Sequence, residues 1–172
     1  MNKVPRTFCI TLRETPKRKE EAQKHFEKMG VNVEFFDGIH GEKFGLKTTI
    51  PNYDKLPGRE YFITQGAVGC LLSHLMLWNV LQHLPDEEFL IMEDDVQLCE
   101  NFQEKFSAFM DELPKDWEMV YLGYLIPGGS YGEGTTFVSE NVITCRPVCT
   151  HGYMVKKSAL KTLIETNQLA WS

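Results

Sequence analysis

Glu93-Asp94-Asp95 directly follows the apolar run Phe89-Leu90-Ile91-Met92, so three carboxylates stand where a buried strand would leave the core. Four consecutive apolar residues bounded by polar turns read as an interior strand. Neighbouring carboxylates in that place repel one another, and desolvation raises their pKa values unless a cation lies close. A divalent cation meets that need economically. Oxygen-only ligation suits Mg²⁺ or Mn²⁺, which keep coordination positions open for substrate phosphates. Strand alternation predicts Glu93 and Asp95 on one side and Asp94 on the other, so that a pair addresses metal and ligand while the third acid turns away. A solvated acidic turn is the competing account; the position after an interior strand weighs against it.

The elements that must position these acids follow from local patterns. Thr7 to Leu12 is a β-prone run, and Thr15-Pro16 offers an N-cap residue and a proline suited to the first helical position. Ala22, Phe26 and Met29 lie at helical spacing before Gly30, a natural left-handed terminator. Val31 to Phe36 reads as a second strand ending in Asp37-Gly38. Strand, helix, strand is the opening of a parallel α/β sheet, in which ligands bind at the carboxyl ends of the strands. Over residues 39–65, Gly41, Gly45, Pro51, Pro57 and Gly58 break every period, which predicts a flexible loop or lid. Gly66 to about Leu84 reads as a helix with an apolar stripe too broad for the surface, hence buried. Further helices are expected from Asn101 to Leu113 and from Lys156 or Ser158 to Thr166, and a strand over Met119 to Leu122. Pro127 to Gly134 is expected to be loop, and Phe137-Val138 with Val142 to Thr144 a hairpin.

Composition bounds what such a site can serve. The chain has 172 residues, 42% hydrophobic and 24% charged, which fits one globular domain over residues 1–172. Its formal charge of −6 is a poor match to nucleic acid. Five cysteines at loose spacing and no apolar leader near Met1 predict a reducing, cytoplasmic setting. No apolar run approaches the ~20 residues that span a bilayer, so membrane contact is expected to be at most peripheral, at the inner face.

Three ordered motifs together carry a resemblance. Ile10-Thr11-Leu12 followed by Arg13 and Arg18, Gly66-Ala67-Val68-Gly69-Cys70-Leu71-Leu72-Ser73-His74 with Trp78, and Leu90 to Val96 across the acidic triplet resemble glycosyltransferase family 25. That family includes bacterial lipopolysaccharide and lipooligosaccharide galactosyltransferases and collagen galactosyltransferases. The resemblance implies a GT-A-like, Rossmann-like α/β fold with a mostly parallel sheet flanked by helices. It also implies a UDP-sugar donor, usually UDP-galactose, a glycan or lipid-linked glycan acceptor, and inversion at the anomeric carbon. Asp95 is then the direct ligand of Mn²⁺ or Mg²⁺, with Glu93 as a further metal ligand or, like Asp94, a contact to the nucleotide sugar. His151, read as belonging to a late loop, completes the metal site or touches the diphosphate.

Other residues keep two readings. Arg13 and Arg18 bracket the turn after the first strand, where guanidinium groups meet a uracil carbonyl or diphosphate oxygens; as exposed charges at a helix start they would do neither. Thr11 and Asp37, at the ends of the first two strands, are placed for base or ribose contact. Gly66, Gly69 and Ser73 give one small helix face for a nucleotide or, equally, for close packing. His74, four residues after Cys70, is a hydrogen-bonded core histidine or a donor-site support. Cys145 and Cys149 near His151 make only a weak zinc pattern. Inversion needs a base opposite the leaving group, for which Glu133, Glu118 and Asp116 are candidates; Glu118 stands where the family usually carries Asp. The chain stops at Trp171-Ser172, where family members often continue, so the acceptor site is expected to be short. Two other functions remain open: a catalytically weak nucleotide-sugar-binding module and, with less behind it, a metal-dependent phosphohydrolase.

Overall fold

The computed structural model describes residues 2–45, 64–125, 135–144 and 148–168. Strand β1 (Arg6–Thr11), helix α1 (Pro16–Lys28) and strand β2 (Val33–Asp37) form the expected opening unit, with β1 and β2 parallel and Thr11 level with Asp37. Pro16 does occupy the first turn of α1, but the Thr15 hydroxyl donates backward to the Leu12 carbonyl at 3.1 Å instead of capping the helix. Gly30 ends the unit with φ +67°, a left-handed conformation that costs glycine little.

Helix α2 (Gln65–Leu81) is capped by Thr64, whose side chain accepts from the Ala67 N–H at 3.1 Å. Strand β3 (Glu88–Glu93) follows, then helix α3 (Phe102–Glu112) and strand β4 (Met119–Leu125). Strands β5 (Thr136–Phe137) and β6 (Ile143–Thr144) make the expected small hairpin. Strand β7 (Val148–Lys156) runs straight into helix α4 (Lys157–Gln168).

The main sheet has the order β2-β1-β3-β7-β4. β1 and β3 are parallel, whereas β7 is antiparallel to both β3 and β4, so four strands point one way and β7 alone returns between them. The sheet is therefore mixed and mostly parallel, flanked by helices in a single domain. β3 sits at its centre, and its side chains alternate between two cores. Phe89 and Ile91 pack with Phe8, Tyr153 and Val155 against Leu77, Trp78 and Leu81 of α2 and Leu160 of α4. Leu90 and Met92 pack with Cys9 and Met154 against Phe26 of α1 and Phe102 and Phe106 of α3. Cover on both faces is why this strand reads as an unbroken apolar run.

β7 is the element the sequence reading lacks as a sheet strand. Tyr153, Met154 and Val155 are fully buried, but Thr150-His151-Gly152 interrupts the run before them and hides the strand. Among the described residues no helix is long and apolar enough to cross a membrane. Most of the expected 39–65 lid lies outside the described residues. Its first residues do have a place: the Ile39 N–H donates to Ser73 Oγ at 2.8 Å, and a Cβ on Gly69 would lie 2.5 Å from the Ile39 carbonyl oxygen.

Candidate active site

Thr11, Asp37 and Glu93 end three parallel strands on one edge of the sheet, the edge where α/β proteins bind ligands. A cavity of about 300 Å³ opens there, lined by Thr11 and Arg18, by Gly66, Cys70, Ser73 and His74 of α2, and by the three acids.

The triplet does not alternate as a strand. β3 stops at Glu93, and the chain turns with the Val96 N–H donating to the Glu93 carbonyl at 3.2 Å. Glu93 continues the strand and faces α2. Asp94 and Asp95 leave the pleat and meet the same partner, the Arg18 guanidinium, whose Nη2 lies 2.5 Å from Asp94 and 3.4 Å from Asp95. This corrects the expected pairing of Glu93 with Asp95. Asp94, 8% exposed, also accepts from the Thr11 hydroxyl at 2.9 Å. One of the cations that the carboxylates require is therefore a side chain from the first turn of α1.

Glu93 has its own set of partners. Thr150 Oγ1 donates to it at 2.7 Å, His74 Nε2 lies at 3.4 Å, and the Cys70 thiol at 3.8 Å. The hydrogen bond from His74 holds its carboxyl below the usual range, helped by Thr150 and opposed by burial. Behind it, His74 Nδ1 and Trp78 Nε1 each lie 2.8 Å from the buried Tyr153 hydroxyl. The directions follow from the donors available. Trp78 can only donate, so the Tyr153 oxygen accepts from it. The Tyr153 O–H then donates to His74 Nδ1, which leaves the imidazole proton on Nε2, facing Glu93. Burial raises the Tyr153 phenol well above its ordinary value, which keeps that hydroxyl protonated.

Asp95 differs from both neighbours. Its side chain is 60% exposed, and Arg18 at 3.4 Å is the one ion-pair partner it has among the described residues. It lines the first cavity and also a second one, of about 500 Å³, that His151 and Gly123 share. Its oxygens thus have capacity left for a hard divalent cation, whereas Asp94 is already paired with Arg18 and Glu93 accepts from Thr150 and His74. His151 sits on β7, not in a loop, and its ring crosses Gly123 of β4, where a Cβ would lie 2.5 Å from Nε2.

The remaining expected residues divide. Arg13 and Asp37 do not line the cavity and are paired with each other at 2.7 Å. Ser73 is buried, donates to the Gly69 carbonyl at 2.6 Å and accepts from Ile39, so Gly69 and Ser73 serve close packing. Among the described residues, a Cβ on Gly66 would have only Thr64 Oγ1 within 4 Å, at 3.7 Å. Glu118 is a correction: it precedes β4 and accepts from Ser158 at 2.8 Å, and the pairing of Met119 with Val155 and of Val155 with Phe89 sets it at the amino end of the sheet. Five residues of strand at ~3.3 Å each separate that level from Glu93. Asp116, just before it, shares that end. Glu133 lies outside the described residues.

Sequence reasoning missed Thr150, Tyr153 and the direct part of Cys70. The Cys70–His74 spacing was a usable signal, because residues four apart share a helix face. Thr150 and Tyr153 were not findable by alternation: they are three apart on one strand, yet both reach the Glu93–His74 group. The β4–β7 register shifts around Gly123, and Cys149 has φ +80°.

Residues 4–127 match the family model described as "Glycosyltransferase family 25 (LPS biosynthesis protein)". A "Glycosyltransferase 25 family member" of Aedes aegypti is 25% identical over 96% of this chain and 29% of its own length. "Procollagen galactosyltransferase 2" of Mus musculus is 27% identical over 67% of this chain and 20% of its own length. An "Inactive glycosyltransferase 25 family member 3" of Mus musculus is also 27% identical, over 67% and 21%. The chain thus spans between a fifth and three-tenths of these relatives. A solved glycosyltransferase involved in glycosylation of the major capsid of PBCV-1 aligns over 96% of this chain and 67% of its own, at 18% identity and a TM-score of 0.46.

Proposed function

The chain belongs to glycosyltransferase family 25, and from that premise we propose that it transfers a hexose, galactose in our reading, from a UDP-sugar to a glycan or lipid-linked glycan acceptor. The transfer inverts the anomeric carbon and uses Mn²⁺ or Mg²⁺. The observation that carries this reading is the exposed Asp95 beside Arg18, at the mouth of a cavity on the carboxyl edge of parallel strands. Galactose draws its support from the relative named as a procollagen galactosyltransferase.

Each side chain has a physical task. Asp95 would hold the cation, with Glu93 and His151 as the further candidates. The bound ion would offset charge on the departing diphosphate as a Lewis acid. Arg18, half exposed and fixed by Asp94, brings a second positive group to the diphosphate. Thr11 holds Asp94, and so Arg18, in register. Arg13 and Asp37, near the ends of β1 and β2, are our candidates for base and ribose contact, and Gly66 lines the cavity the donor would enter. Glu133 is our remaining candidate for the base. The setting we propose is cytoplasmic, with at most peripheral contact at the inner face of a membrane.

A second reading is a nucleotide-sugar-binding module without turnover, favoured by the relative named inactive. A phosphohydrolase draws no support from the family. Thermal unfolding against a panel of nucleotide sugars, with and without Mn²⁺, separates the possibilities, because a ligand at 100 times its Kd adds ~2.7 kcal/mol. UDP-galactose with Mn²⁺ should raise Tm most. Release of UDP in the presence of acceptor then identifies the enzyme, and binding without release the module. No shift with any nucleotide sugar would overturn the donor site.

A further inference from the structure

Cys70, His74 and Glu93 bring one sulfur, one nitrogen and one carboxylate oxygen to the wall of the smaller cavity, and the three atoms lie within 4.8 Å of one another. Cys70 and His74 are one turn apart on α2, and Glu93 faces them from the end of β3. His74 Nε2 is 3.4 Å and Cys70 Sγ 3.8 Å from the same Glu93 oxygen. A tetrahedral Zn²⁺ with bonds of ~2.0 Å to nitrogen and oxygen and ~2.3 Å to sulfur sets its ligand atoms roughly 3.3–3.5 Å apart. The two separations from the Glu93 oxygen are therefore within a few tenths of an ångström of ligating values, and Cys70 and His74, within 4.8 Å of each other, need only draw together across one helical turn.

We propose that Cys70, His74 and Glu93 form a zinc site with its fourth coordination position open to the cavity; Glu93 committed to zinc leaves the Mn²⁺ or Mg²⁺ position to Asp95 and His151. The donor set argues for the metal: a thiolate with an imidazole and one carboxylate suits Zn²⁺, whereas Mg²⁺ and Mn²⁺ take oxygen. The supporting shell is already built. Tyr153, held by Trp78, contacts His74 Nδ1 at 2.8 Å, which orients the ring with Nε2 toward Glu93 as a ligating histidine requires. On binding, the Cys70 thiol proton leaves to solvent. The imidazole proton moves from Nε2 to Nδ1, and the Tyr153 hydroxyl rotates its own hydrogen away so that its oxygen accepts a hydrogen bond from Nδ1–H as well as from Trp78. The Thr150 hydroxyl gives up its bond to the Glu93 oxygen that turns to the metal. Zinc would then engage Glu93 at the wall of the cavity, in competition with whatever else fills it; the binding itself stands apart from any transfer reaction.

Titration of the whole chain with Co²⁺, a spectroscopic stand-in for zinc, tests this. One equivalent should give a thiolate-to-cobalt charge-transfer band with tetrahedral d–d bands, and Zn²⁺ should abolish both. Cys70→Ser should remove the charge-transfer band and weaken Zn²⁺ binding at least about tenfold in competition with a chromophoric chelator, since even supporting residues of metal sites are worth 10–100-fold. The exposed Cys99 and Cys149 are the controls: a double Cys99→Ser, Cys149→Ser variant should keep the band. Octahedral cobalt without a thiolate band in the unaltered protein, or a band that survives Cys70→Ser, would overturn the site. Because the readout is spectroscopic, it holds whether or not the chain transfers sugar.

Discussion

Arg6 and Arg18 each stand between two acids, at opposite ends of the same sheet. At the amino end, Arg6 gives Nε and Nη2 to the two oxygens of Glu34 at 2.6 and 3.0 Å and Nη1 to Asp86 at 3.1 Å. Every nitrogen of the guanidinium is used, in the forked geometry that suits it best. At the carboxyl end, Arg18 reaches Asp94 and Asp95 through a single nitrogen, and Asp95 stays mostly exposed. The cavity beside Arg6 is the larger, about 780 Å³ against about 300 Å³. Volume therefore does not distinguish the two ends. What distinguishes them is unspent capacity: the amino end closes its charges on itself and ties β1 to β2, while the carboxyl end leaves a carboxylate and a guanidinium free to meet a ligand.

Asp95→Ala gives the largest expected effect. It should lower metal-dependent transfer roughly 10²-fold or more, the scale of losing one electrostatic contact to the transition state. Circular-dichroism melts should barely move, since Asp95 is exposed. Undiminished transfer would remove Asp95 from the metal site and erase the difference between the two ends.

Tyr153→Phe probes the support behind the carboxyl end. It leaves the Trp78 N–H and His74 Nδ1 without their buried partner, which should cost ~1–3 kcal/mol in urea unfolding. A stability unchanged from the parent would show that the network does not hold Glu93 in place.

Acid stability compares the two ends directly. The Glu93 carboxyl is held low by His74, and that of Glu34 by Arg6. A folded value below the unfolded one means stability that is present above the ordinary 4.5 and lost as pH falls through the folded value. Urea midpoints measured downward through that range should flatten more in Glu93→Gln than in Glu34→Gln, because Glu93 is the more buried. At the alkaline side the sign reverses. Burial pushes the thiol of Cys70 up to about 11 and that of Cys9 to about 12. The unfolded chain then ionises first, and the metal-free protein should lose stability as pH rises above the ordinary thiol value of 9.0.

Arg6→Ala should do least. A small drop in Tm with unchanged kcat/KM is expected, whereas Arg18→Ala should lower kcat/KM. Equal effects of the two on turnover would collapse the comparison.

Much of the fold was readable because its signals are local. The β1-α1-β2 unit follows from Pro16, from the Ala22–Phe26 spacing and from Gly30. Helix α2 and strand β3 follow from apolar periods that need no partner to be recognised, and the acidic triplet was visible at a strand end for the same reason. The roles within the triplet were not. Alternation holds only while the strand does, and the turn after Glu93 turns Asp94 and Asp95 onto one arginine, 76 positions from Asp94.

The sequence by itself determined the element types, the acids at the end of an interior strand, the Cys70–His74 helical face, and the motifs that place the chain in its family. Tertiary structure alone decided that β7 returns antiparallel between β3 and β4. That single choice of neighbour brings Thr150 to Glu93 and Tyr153 to His74, sets His151 on a strand, and carries Glu118 to the far end of the sheet. The physical reason is that strand order and direction are settled by pairing and burial among segments distant in the chain, here residue 93 with 150 and 74 with 153, and no local period of two or 3.6 residues records which strands those will be.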